Sequence, residues 1–158
     1  MRRCEAFGPA IAPIGENSPR HRHSRSRTWQ FQGLARDLLI GIVESDHILL
    51  LSNEMLFELA KVLRYSHMLE LHGLSEERIY DYVVFLREAA EIVAPDPLLI
   101  TPIRDVNDTV VIQTALIGEA DVLCTRDRDF FAPPAEAFLR KAGITVLDDI
   151  ALIQRLRS

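Results

Sequence analysis

Several things are scarce or missing in this chain. It has two cysteines, Cys4 and Cys124. They lie far apart, so they offer neither metal-ligand spacing nor a disulfide framework, and they suit a reducing compartment. No run of about 18 uninterrupted apolar residues occurs, so no membrane-spanning helix is expected. There is no Gly-x-Gly-x-x-Gly and no Gly-x-x-x-x-Gly-Lys, and with them goes the usual phosphate-cradling loop. Arg2 and Arg3 are not followed by a long apolar segment, so the N-terminus does not read as a signal peptide and a cytoplasmic location is expected. No internal repeat is visible. Aspartate is absent from the first thirty residues; the first is Asp37.

The 158 residues suffice for one domain with a real core and are too few for two ordinary ones. A hydrophobic share of 48% is that of a soluble globular protein. The net charge of −5 is unevenly spread. Residues 1–30 hold six Arg against Glu5 and Glu16, whereas the remainder is strongly acidic. An acidic body argues against broad electrostatic binding to nucleic acid. It leaves open nucleic acid bound through metal ions, because carboxylates filled by Mg²⁺ change sign locally.

The chain divides at about residue 30. Before it, Pro9, Pro13 and Pro19 break any periodicity, and Pro-Arg-His-Arg-His-Ser-Arg-Ser-Arg is polar and basic. Residues 1–30 are expected to be a disordered basic tail, and 31–158 the folded domain. From Gly33 on, Leu34, Leu38, Leu39, Ile42 and Val43 form a stripe at helical spacing. Residues 47–51 make a short apolar strand. Ser52 caps a helix carrying Glu54 and Glu58, four apart and therefore on one side. Ser75 caps another helix, expected to run through Val93, and Leu98–Ile100 is expected to be extended. A helix starting near Asn107 or Asp108 ends at Gly118. Strands are expected at 121–125 and 144–147, with a last helix capped by Asp148-Asp149. Alternating helices and short apolar strands predict an α/β sandwich with a mainly parallel sheet. Sites in such sheets lie at the carboxyl ends of the strands.

The most informative stretch is Ile103–Phe131. Asp105 and Asp108 stand where a helix begins; Asp127 and Asp129 stand where the chain leaves a strand. Folding back on itself, this segment brings both clusters to one sheet edge. Mg²⁺ and Mn²⁺ are hard cations that prefer carboxylate oxygens and keep several waters. Taken singly, Asp105 and Asp108 also read as helix caps, Asp127 and Asp129 as a solvated turn, and Glu58 as part of an exposed face. A phosphatase-like use of Asp127-Arg-Asp129 needs a nucleophilic Asp after a first strand, and none is visible.

Ser52-Asn-Glu-Met-Leu-Phe-Glu58, Arg104-Asp-Val-Asn-Asp108 and Thr125-Arg-Asp127-Arg-Asp129-Phe together resemble the PIN-domain family, close to the toxin components of toxin–antitoxin modules. The resemblance runs from about Gly33 to the C-terminus. It implies a three-layer α/β/α fold and a metal-dependent ribonuclease. Mg²⁺ or Mn²⁺ would be held by Glu58, Asp108 and Asp127 with Asp129 assisting, the first three being catalytic. Glu54 and Asp105 match acid-tolerant positions nearby. It further implies an RNA substrate, an antitoxin protein as partner and a possible homodimer. The family opens on an apolar strand ending in a metal-binding Asp. Here that strand is expected to be absent or replaced. The alternative reading is an inactive PIN-like protein that binds a partner.

Overall fold

The computed structural model describes residues 3–5 and 34–158, with side chains from residue 37 onward. Most of the segment expected to be a basic tail therefore lies outside the described residues. The elements in order are β1 (Arg3–Glu5), α1 (Leu34–Val43), β2 (Ile48–Leu51), α2 (Asn53–Val62), α3 (Ser66–His72), α4 (Glu76–Ala89), β3 (Ala90–Ile92), α5 (Val106–Ile117), β4 (Val122–Cys124), α6 (Ala135–Lys141), β5 (Thr145–Leu147) and α7 (Asp149–Arg157). The five strands form one sheet in the order β3-β2-β1-β4-β5, and all pairings are parallel.

Of the two expectations for the first strand, absent or replaced, the first is corrected: a short strand without an aspartate stands in its place. Arg3–Glu5 lies between β2 and β4, with Glu5 in register with Leu50 on one side and Leu123 on the other. Without it, two inner strands would face each other across a row of unpaired backbone groups, which is costly inside a sheet. Three residues are too few to carry a periodic signal, so the pattern of the sequence did not mark them.

The core follows the expected pattern. Leu49, Leu50 and Leu51 of β2 are all buried, as are Val122, Leu123 and Cys124 of β4. Strands covered on both faces read as continuous apolar runs for this reason. The helices form two groups, α1 against α7, and α2 against α4 and α5, giving an α/β/α sandwich. α5 approaches β2 closely at Gly118, where a Cβ would lie 2.8 Å from Leu50 Cδ1 and 3.0 Å from the Thr114 carbonyl oxygen.

Two local expectations are corrected. The helix opened by Ser75 stops at Ala89, and Ala90–Ile92 turns into strand β3 on the edge of β2. Pairing with β2, continued by the Val93 N–H to the Leu51 carbonyl at 2.8 Å, overrides the helical pattern of the sequence. Leu98–Ile100 is a turn, not a strand. The Leu98 N–H donates to Asp96 Oδ1 at 2.9 Å, a local bond typical of Asp turns, and Gln113 Nε2 donates to the Leu99 carbonyl at 3.0 Å.

The strand order has one reversal. The chain moves from β1 outward through β2 to β3, then crosses back to β4 on the other side of β1. A crevice opens at the carboxyl ends of strands where the order reverses in this way. The residues following β2 and those following β4 flank that crevice.

Candidate functional site

Ser52 ends the buried part of β2 and starts α2. Its Oγ accepts from the Met55 N–H at 3.1 Å, so α2 begins at a fixed point directly above the sheet edge. One face of α2 is anchored by Met55, Leu56 and Leu59 in the core. Glu54 and Glu58 project from the side that borders the cavity at the crevice. Glu58 is half-buried, and Lys61 Nζ on the next turn sits 3.6 Å from its Oε2.

α5 begins on the other side of this space. Asp105 is its cap: Oδ1 accepts from the Asn107 N–H at 2.9 Å and from the Asp108 N–H at 3.2 Å. Asp105 thus takes the structural task that either aspartate could have filled, and Asp108 in the first turn keeps its carboxylate clear of capping. A negative charge there is favoured by the helix dipole.

The third arm comes from β4. Thr125 is buried and its N–H donates to the Leu147 carbonyl at 2.9 Å, continuing the β4–β5 ladder by one residue. Thr125 Oγ1 accepts from the Asp127 N–H at 3.0 Å, and Asp127 Oδ1 accepts from the Asp129 N–H at 2.9 Å. A single 3₁₀ turn, Arg128–Phe130, follows, with Phe130 buried beneath it. These bonds fix the backbone that carries Asp127 at the sheet edge.

The three arms enclose a cavity of about 310 Å³ whose lining includes Glu54, Glu58, Asp105, Asn107, Asp108 and Asp127. Among the described residues, no Lys or Arg belongs to that lining. Three of the four residues expected as metal ligands, Glu58, Asp108 and Asp127, therefore border one space. Asp129 is exposed and outside the lining, its N–H turned to Asp127. Its charge still reaches the site. The Asp108 carboxyl is pushed up to about 6, first by burial and then by the negative charges of Asp105, Asp127 and Asp129.

Such a cluster of oxygen donors with surplus negative charge is chemically matched to a hard divalent cation. As the side chains stand, no three His, Cys, Asp or Glu among the described residues are gathered closely enough to form a ready cage. Mg²⁺ does not require one, since it usually takes one or two carboxylates and keeps waters for the rest. β1 contributes its backbone to this edge but no aspartate. It ends on Glu5, level with Leu50 and Leu123 and so short of Ser52 and Asp127 along the strands.

Two contributors escaped the reading of the sequence. Asn107 borders the cavity, although its amide gives no signal among so many acids. Arg126 reads in sequence as part of a solvated Arg-Asp-Arg-Asp turn. In the structure its Nε donates to Asp149 Oδ2 at 2.8 Å, and its Nη2 makes a second, short bond to the same oxygen. Asp149 reads in sequence as a helix cap, but Asp148 takes that role by accepting from the Ala151 N–H at 2.7 Å. Only a pairing across the strand exits, invisible in linear spacing, could reveal this bond.

No helix among the described residues is long and apolar enough to cross a membrane. A family model described as PIN domain matches residues 26–129, more than half of the chain. Comparisons with curated proteins and with solved structures found no match.

Proposed function

We propose that this chain, which belongs to the PIN-domain family, is a Mg²⁺- or Mn²⁺-dependent endoribonuclease of toxin–antitoxin type. PIN domains are in general metal-dependent nucleases, and the finer reading rests on the resemblance of the motifs at Glu58, Asp108 and Asp127–Asp129. The single observation that carries it is the cavity shared by Glu58, Asp108 and Asp127 at the reversal of the strand order. RNA is its substrate, an antitoxin protein its partner and a homodimer its assembly in this reading.

A bound divalent ion supplies Lewis acidity and lowers the pKa of a water for attack on a phosphodiester. Glu58, Asp108 and Asp127 would hold it, with Asp129 assisting. The chain's own residues set the conditions for this. Asp105 holds the first turn of α5 so that Asp108 faces the cavity. The Asp129 N–H fixes one oxygen of Asp127. The acidic lining repels a bare phosphate backbone, so substrate approach is coupled to neutralisation of the cluster.

The test is RNA cleavage by the purified chain with Mn²⁺, with excess chelator, and with Asp108→Asn. Cleavage is expected with Mn²⁺ and lost in the other two cases. Cleavage that persists in chelator would end the metal reading. A second reading is an inactive PIN-like protein that only binds a partner. It is favoured by one observation, the absence of an aspartate from β1. Calorimetry separates the two: no heat with Mn²⁺ together with a stable antitoxin complex supports the second.

A further inference from the structure

The exits of β4 and β5 are joined twice in succession. The Thr125 N–H donates to the Leu147 carbonyl at 2.9 Å. One residue on, the Arg126 guanidinium grips Asp149, two residues past Leu147. The next residue is Asp127, a wall of the acidic cavity. Asp149 is 7% exposed and sits in the first turn of α7. Its second oxygen, Oδ1, accepts from the Ile150 N–H at 3.1 Å. Both oxygens are thus engaged, and the anchor is held by a helix packed against α1 and β5.

A guanidinium is a planar fork and two of its N–H groups meet one carboxylate, so the bond fixes direction as well as distance. Among the described residues, the hydrogen bonds of Asp127 stay within its own loop, to Thr125 Oγ1, the Asp129 N–H and the Phe130 N–H. Those local bonds shape the loop. They do not attach it beyond β4.

We propose that Arg126, through Asp149, is a positioning residue for Asp127, tying the loop after β4 to α7 so that the Asp127 carboxylate stays at the cavity. The inference rests on the reading of that cavity as a divalent-metal site. It assigns the Arg126 guanidinium, although largely exposed, to a bond within the protein, and leaves Arg128 as the other exposed basic side chain of that turn. The distinction matters because an Arg next to a nuclease carboxylate would otherwise be taken for a phosphate contact.

The experiment is calorimetric titration of the full chain with Mn²⁺ at low temperature, where circular dichroism shows every variant folded. The set is wild type, R126A, R126K, D149N and R126A/D149N, with R64A as control. Arg64 Nε donates to both carboxylate oxygens of Glu76, and neither of these two residues lines the cavity. R126A and D149N are each expected to weaken Mn²⁺ binding about tenfold, as for residues that orient a ligand from behind. The double variant should be no weaker than R126A, R126K should recover part of the loss, and R64A should bind as wild type does. D149N keeps the shape of Asp149, so it reports on the pair even if R126A fails to fold. Wild-type affinity in folded R126A and D149N overturns the positioning role while leaving the metal site standing. Equal weakening in R64A overturns it too, since the effect would then follow stability alone. No Mn²⁺ binding by wild type removes the metal reading itself, and the inference with it.

Discussion

Asp108 and Asp149 occupy equivalent places, each in the first turn of a helix at the carboxyl edge of the sheet, and they are treated in opposite ways. Asp149 is the more deeply buried and is matched by a guanidinium. Asp108 is less buried, has Asp105, Asp127 and Asp129 around it, and its carboxyl is driven up to about 6. Folding would discharge or pair an acid of the second kind if stability were the only demand. One carboxylate therefore belongs to the scaffold, and the other borders the cavity at a cost in stability. The local rule for helix N-termini predicts both positions and distinguishes neither.

The sharpest way to break this contrast is to remove each partner and compare signs. R126A leaves the buried Asp149 carboxylate without its cation. Removing one member of a buried ion pair typically costs 3–5 kcal/mol. Arg126 is itself largely exposed, so solvent takes over part of its role and about 2 kcal/mol is expected here. Urea unfolding of R126A and wild type without metal measures it. D108N should move the other way, stabilising the metal-free protein by about 1 kcal/mol at pH 7.5 after discounting for solvent screening. If both substitutions destabilise, the two carboxylates are alike and the contrast is void.

The pH dependence of the Asp108 effect follows from its direction. The folded-state value, about 6, lies above the ordinary 3.8. Between these values the folded protein binds more protons than the unfolded chain, so wild type gains stability from this group as pH falls through 6, and the gain is complete below 3.8. D108N lacks this response. The difference between the two proteins should therefore be largest above pH 7 and close to zero at pH 4. Unfolding midpoints in chelator across that range check it, and a difference that stays constant with pH would remove Asp108 as its source.

The same contrast explains which features could be read from the sequence. The helix of Glu58, the start of α5 and the strand before Asp127 show in periodicity, capping residues and a short apolar run. Those signals are local, and they located three acids that share a cavity. β1 and β3 are three residues each, and their existence depends on pairing with β2 and β4, which no window of sequence contains. The Arg126–Asp149 bond joins residues far apart in the chain that the sheet brings side by side. The division of labour between Asp105 and Asp108, and between Asp148 and Asp149, is likewise decided by backbone geometry at the helix start. Local spacing names the pair of candidates; the fold chooses between them.

The smallest expected effect tests that choice at the two caps. Asp105 and Asp148 do the same work for α5 and α7, accepting from backbone N–H groups of the first turn. Replacing a capping Asp by Ala typically costs about 1 kcal/mol. D148A should show that cost in full, since its helix starts beside the Arg126–Asp149 pair and not among the carboxylates that crowd Asp108. D105A loses the cap as well, but it also removes a negative charge next to Asp108. The relief offsets part of the loss, so D105A should destabilise by only about half as much at pH 7.5. Lowering the pH to 4.5 largely discharges Asp108 in wild type, so the relief disappears and the two variants should converge. Equal losses at both pH values would mean that the crowding of Asp108 owes nothing to Asp105 and comes instead from Asp127 and Asp129 on the β4 side.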